Sequence, residues 1–213
     1  MNFHVVTLFP EVIEAYASVS ILGRAQKGKK IKVKTYQLRD FAGNKWGKVD
    51  ERPYGGGPGM VLRAEPVIKA VRKILKVKNT KVIITAAHGK PLTNAYAKKL
   101  TKFKNIVIVC GRYEGIDARA KKALKAEEIS AGPYILTGGE VPALAIIDAA
   151  SRQVPGVLGK FESLEERRVA SRDVYTRPEI LKIGGRSHRV PKVLLSGHHE
   201  KINALRSKKR SSA

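Results

Sequence analysis

Two glycine-rich turns hold the residues of this chain best suited to grip a ligand: Gly111-Arg112-Tyr113-Glu114-Gly115 and Gly132-Pro133-Tyr134-Ile135-Leu136-Thr137-Gly138-Gly139-Glu140. Each follows a short apolar run that reads as a strand. Both turns therefore fall at C-terminal strand ends, the edge on which open α/β sheets bind ligands. Glycine removes the side chain that would hold a flat ligand off the backbone. Phosphate-cradle signatures fail here. Gly111 to Gly115 lacks the third glycine of a dinucleotide fingerprint, and His88-Gly89-Lys90 is followed by Pro91 where a phosphate loop needs Ser or Thr. Cys110 ends the apolar run Ile106-Val107-Ile108-Val109, which suits a small buried hydrophobe better than a nucleophile. A single cysteine also excludes a disulfide or a cysteine metal site within one chain, and no metal-ligating residues are assigned.

The elements that must position these turns alternate. Phe3 to Phe9 reads as a strand, Glu11 to Leu22 as a helix, and Ile31 to Leu38 as a strand with one wet face. Gly55 to Gly59 form a loop, Val67 to Leu75 have helical spacing, and Val82 to Ile84 make a short strand. A basic helix over Ala95 to Phe103 and a buried strand over Ile106 to Val109 follow. This order predicts an α/β fold with a mostly parallel sheet and helices on both faces. An apolar helix over Val141 to Ala150 reads as buried, with a subunit interface as one use. Residues 160 to 174 lack apolar periodicity and read as a polar linker. Beyond it, Val193-Leu194-Leu195 and a helix from His198 to Lys209 suggest a small helical tail. The domain reading is 1–160, a linker over 161–174, and a basic tail over 175–213.

Charge narrows the partner. The chain has 213 residues, 43% hydrophobic, with 42 Lys+Arg against 18 Asp+Glu for a net charge of +24. Self-repulsion of that size is relieved by a polyanion, whose counterions are released on binding. Residues from 161 onward contribute 13 basic and 6 acidic side chains, which leaves +17 of the +24 in the first 160 residues. A nucleic-acid surface must therefore span both parts. No membrane span or leader pattern is present in the sequence, and a cytoplasmic location is expected.

Six segments, in order along nearly the whole chain, resemble one family. They are Asp50-Glu51-Arg52-Pro53-Tyr54-Gly55-Gly56-Gly57-Pro58-Gly59-Met60, Cys110 to Asp117, Gly132 to Glu140, Pro155-Gly156-Val157-Leu158-Gly159, Tyr175-Thr176-Arg177-Pro178-Glu179 and Val193-Leu194-Leu195-Ser196-Gly197. The family is the bacterial tRNA (guanine-37-N1)-methyltransferases. The resemblance implies a C-terminal trefoil knot, which departs from the usual rule against threading. It implies tRNA as partner, a homodimer, and S-adenosylmethionine bent between three loops, here Thr85 to Gly89, Gly111 to Gly115 and Ala131 to Gly139. The cofactor residues on these loops are Thr85, Ala87, Gly111, Tyr113, Glu114, Gly115, Ala131, Gly132, Pro133, Tyr134, Ile135, Leu136, Gly138 and Gly139. The resemblance also admits Mg²⁺ as a second cofactor.

Methylating N1 of guanosine requires removal of its proton and stabilisation of the charge that builds on O6. Arg152 matches the family arginine given the second task. For the first, family members place an aspartate in a longer linker than this chain has. Asp173 and Glu166 are the carboxylates within the shortened stretch, and both stay open, with Asp173 preferred. Two rivals are a nonenzymatic RNA-binding protein, which leaves the three glycine loops unexplained, and a knotted methyltransferase of different specificity, against which the Gly55 to Gly59 and Tyr175 to Glu179 segments argue.

Overall fold

Apolar runs between turn residues become strands, and apolar stripes become the helices that cover them. The computed structural model describes residues 1–75, 78–158 and 173–208. The chain divides into two units, Met1–Gly159 and Lys160–Ala213. The first unit runs β1 (Asn2–Thr7), α1 (Pro10–Ala17), α2 (Ser20–Lys27), β2 (Lys32–Gln37), a 3-10 turn (Leu38–Phe41), β3 (Asp50–Glu51), β4 (Val61–Leu62), α3 (Ala64–Ile74), β5 (Thr80–Pro91), α4 (Asn94–Leu100), β6 (Asn105–Val109), α5 (Ala118–Leu124), β7 (Glu127–Ser130) and α6 (Glu140–Ser151).

Five strands form one sheet in the order β2-β1-β6-β5-β7, every neighbouring pair parallel. Strand β6 is buried at every position. Its Val107 and Val109 join one hydrophobic cluster with α3, α5 and the 3-10 turn, and its Ile106 and Ile108 join another with α1, α2, α4 and α6. Side chains alternating across a pleat give a sheet with two apolar faces, and each must be covered by helices. The predicted α/β architecture with helices on both faces is what the first unit shows. Among the described residues no helix is long and apolar enough to cross a membrane.

Three local expectations change. The single helix expected over Glu11 to Leu22 is two, because Ser20 takes a left-handed φ of 50° and Gly23 presses so close to the Ser18 carbonyl that no Cβ would fit. Strand β5 continues well past Ile84, with its register against β7 shifting between Thr85 and Lys90. That irregularity lifts Ala86 to Gly89 out of regular pairing, so the expected loop is a bulge within a strand. Helix α5 went unread: only Ala120 and Leu124 of its side chains are buried, and Asp117 caps it by accepting from Arg119 N at 2.9 Å.

In the second unit, β8 (Ile180–Ile183) and β9 (Arg186–Arg189) pair antiparallel, followed by α7 (Lys192–Leu195) and α8 (His199–Lys208). The tail is therefore not purely helical. Gly184 and Gly185 connect the strands with φ of 57° and 75°, the conformation a tight two-residue hairpin needs. The expected linker lies outside the described residues except for Asp173 and Val174.

Candidate active site

The C-terminal ends of β5, β6 and β7 open onto a cleft of about 370 Å³. Of the residues assigned to cofactor binding, Thr85, Ala87, Gly111, Tyr113, Glu114, Gly115, Ala131, Tyr134, Ile135, Leu136, Gly138 and Gly139 line it. Gly132 and Pro133 stand in the same turn but not in the wall. Three loops distant in sequence thus build one cavity.

Thr85 ties these loops together. Its Oγ1 donates to Val109 O at 3.3 Å and accepts from Gly111 N at 3.0 Å, and Gly139 N donates to Gly111 O at 2.7 Å. A Cβ on Gly139 would fall on Thr85 Oγ1 and within 2.5 Å of Gly111 N. A Cβ on Gly111 would meet Thr85 O at 2.8 Å. The smallness of Gly111 is thus needed for backbone to pass backbone. A side chain at Gly111 should therefore cost folding as well as ligand binding. Gly115 differs: its φ is 121°, and nothing lies within 4 Å of where its Cβ would be.

Sequence reasoning assigned no role to the buried charges beneath the cleft. Glu140, in the first turn of α6, is only 2% exposed. Thr7 Oγ1 donates to its Oε1 at 2.6 Å, and Arg112 Nε and Nη2 both reach Oε2 at 2.9 Å. The Arg112 guanidinium also lies 4.4 Å from the centroid of the Phe9 ring. A buried carboxylate must be paired, and at a helix N-terminus the backbone N–H groups favour it further. A glutamate opening an otherwise apolar helix was the available signal.

Around the rim, Tyr113 takes a left-handed φ of 58° and stays half exposed. Burial, then the charge of Asp50 and a hydrogen bond to it, raise its hydroxyl pKa, against the smaller pull of Arg39 and Arg112. Glu114 N donates to Met60 O at 3.0 Å, and its carboxylate lies against Gly59. Glu114 therefore joins the cleft to the Gly55 to Gly59 loop. His88 and Lys121 meet Glu128 at 3.5 and 2.5 Å on the opposite wall, a cluster the sequence reading passed over. Cys110 is buried, and burial pushes its thiol pKa well up, as a core residue requires.

Of the catalytic candidates, Arg152 belongs to the first unit and is not among the residues lining this cleft. Arg152 caps the C-terminal end of α6, whose other end carries Glu140, and the 12 residues of α6 span about 18 Å. Past it, Gly156 packs on Lys30, just before β2, at the sheet edge opposite the cleft. Asp173 is exposed at the start of the described part of the second unit, and Glu166 lies outside the described residues. Among the described residues no three His, Cys, Asp or Glu side chains come together as a metal site would require.

The family model described as tRNA (Guanine-1)-methyltransferase TrmD matches residues 1–213. A tRNA (guanine-N(1)-)-methyltransferase of Pseudoalteromonas atlantica is 45% identical over 212 residues, covering 97% of this chain and 78% of the relative. Its counterpart in Desulforamulus reducens is 43% identical over 214 residues, covering 97% and 82%. That of Clostridioides difficile is 42% identical over 213 residues, covering 97% and 90%.

Proposed function

Because this chain belongs to the tRNA (guanine-1)-methyltransferase family, we propose that it transfers a methyl group from S-adenosylmethionine to N1 of guanosine 37 in tRNA, beside the anticodon. The observation that carries this reading is the single cleft closed by the Thr85, Gly111 and Gly139 loops. Backbone groups and small residues admit a flat adenosyl group there, Tyr134, Ile135 and Leu136 supply apolar surface, and Glu114 supplies a carboxylate for a cationic centre. The close pass of Gly111 and Gly139 supports the trefoil knot implied by the resemblance.

Bound S-adenosylmethionine supplies an electrophilic methyl group on a sulfonium. Guanosine N1 holds a proton at neutral pH, so the carboxylate of Asp173 accepts it, breaking N1–H as the N1–methyl bond forms and the bond from that methyl to sulfur breaks, its electron pair returning to sulfur as a neutral thioether leaves. Glu166 is the alternative carboxylate in the same stretch. The guanidinium of Arg152 donates to O6, where the negative charge collects. Arg152 stands at the far end of α6 from its own cleft, so on this reading it serves the cleft of a second copy in a homodimer. The partly exposed side of α6, with Val141 and Leu144, is consistent with such an interface.

The deciding experiment transfers a labelled methyl group to tRNA and analyses the nucleosides. Label in N1-methylguanosine at position 37 is expected; label elsewhere, or none, overturns the reading. Asp173→Asn should slow single-turnover methylation by on the order of a hundredfold to ten-thousandfold, with Glu166→Gln little changed. The reverse result would move the base to Glu166.

A further inference from the structure

Trp46 is the only tryptophan in the chain and is 79% exposed. Exposed indole surface is costly, and a ring on a mobile loop would usually fold back onto the protein. This loop is braced against that. Asn44 Oδ1 accepts from Trp46 N at 3.1 Å and Lys48 N at 3.0 Å, Asn44 Nδ2 donates to Lys48 O at 2.9 Å, and Arg39 Nη1 donates to Gly47 O at 3.2 Å. The indole is thus held out into solvent by bonds on both sides of it.

One cation lies against the ring, and two more border the segment that carries it. Lys45 Nζ sits 4.6 Å from the Trp46 ring centroid, and on the same segment Lys73 Nζ lies 5.5 Å from the centroid of the Phe41 ring. Lys69 Nζ lies beside Gly43, 3.1 Å from where its Cβ would be. An aromatic face interleaved with ammonium groups is the arrangement that binds single-stranded nucleic acid, bases stacking on the ring while phosphates meet the cations.

The loop also adjoins the cleft. It leads into Asp50, whose charge acts on the hydroxyl of Tyr113 in the cleft wall. Trp46 stands four positions before Asp50, a reach of at most about 14 Å. A strand bound at the cleft mouth would lie within reach of the segment that carries the ring.

We propose that Trp46 is a stacking platform for an unpaired base of the tRNA substrate, with Lys45, Lys69 and Lys73 meeting the neighbouring phosphates. This rests on the tRNA-methylating reading of the cleft.

Because no other tryptophan contributes, the fluorescence of the intact protein reports on this ring alone. Titration with an unmodified tRNA transcript should quench it, with a midpoint equal to the tRNA dissociation constant found by filter binding. Trp46→Ala should weaken tRNA binding on the order of tenfold to a hundredfold, leaving melting temperature and S-adenosylmethionine affinity unchanged, and Trp46→Phe should recover most of the loss. Unchanged fluorescence at a tRNA concentration that supports full methylation would overturn the stacking role alone. So would a quench that follows protein concentration without RNA, which would assign the ring to a contact between copies. Failure of the wild-type protein to bind or methylate tRNA would remove the functional reading and this proposal together.

Discussion

Arg112 and Glu140, 28 residues apart, meet in a part-buried ion pair in which two guanidinium nitrogens reach a single oxygen of the buried carboxylate at 2.9 Å. The pair fastens the turn after β6 to the start of α6. Since Arg112 Nη1 also donates to Thr137 O at 3.4 Å, one guanidinium organises two walls of the cleft. Thr7, from β1, holds the other carboxylate oxygen. The site is thus stiffened from below by charge, on a sheet otherwise packed with Val and Ile.

Removing one partner of such a pair strands the other. Arg112→Met should destabilise the fold by about 3–5 kcal/mol, because Glu140 would be left charged and nearly desolvated. The double variant Arg112→Met/Glu140→Gln should recover part of that loss. Urea denaturation of the four proteins in the cycle tests this, and additive losses would mean that the pair is not coupled.

The glycines of the cleft should divide into two kinds. Gly139→Ala forces a methyl group onto Thr85 Oγ1 and the Gly111 backbone, and should lower the melting temperature and S-adenosylmethionine affinity together. Gly115→Ala meets no neighbour and carries only the strain of its positive φ, on the order of 1–3 kcal/mol. Melting and calorimetric titration of both variants would show the order, and a Gly139→Ala protein as stable as Gly115→Ala would contradict the close crossing.

Much of this cleft was legible in the sequence because glycine turns after apolar runs mark strand ends wherever the sheet is parallel. The supporting charges were not, since the Thr7–Glu140 hydrogen bond joins residues 133 apart and only the topology brings them together. Arg152 could be recognised by its neighbours in the chain, but its place at the far end of α6 from Glu140 follows from helix geometry. The hairpin in the tail was announced by Gly184-Gly185, yet its strands have almost no buried side chain and so no apolar alternation to read.

Glu127 makes stability depend on acid. A hydrogen bond from Lys81, outweighing the opposing effect of burial, and further bonds from Lys90 and Tyr96 hold its pKa at about 2, below its ordinary 4.5. A depressed carboxylate stabilises the fold fully above its unfolded pKa, and that contribution disappears as pH falls from 4.5 toward 2. Glu127→Gln should lower the unfolding free energy at pH 7 by on the order of 2 kcal/mol, moving the urea midpoint down with it, and flatten the pH dependence across that window. An unchanged slope between pH 4.5 and 2 would place the acid sensitivity elsewhere.

If Arg152 serves the cleft of a second copy, two inactive variants should rescue each other. Arg152→Ala keeps an intact cleft. Ala87→Trp fills the cleft from an exposed position on its wall, so the core should be undisturbed and the arginine remains. Each alone should methylate tRNA poorly. Mixed in equal amounts and allowed to exchange subunits, half of the dimers pair the two variants, and each such dimer joins one good cleft to one good arginine. Activity should then return to about a quarter of the wild-type level. If cleft and Arg152 instead acted within a single chain, every site in the mixture would still lack one of them. The mixed sample would then be no more active than its parts, which is the result that would return Arg152 to its own cleft.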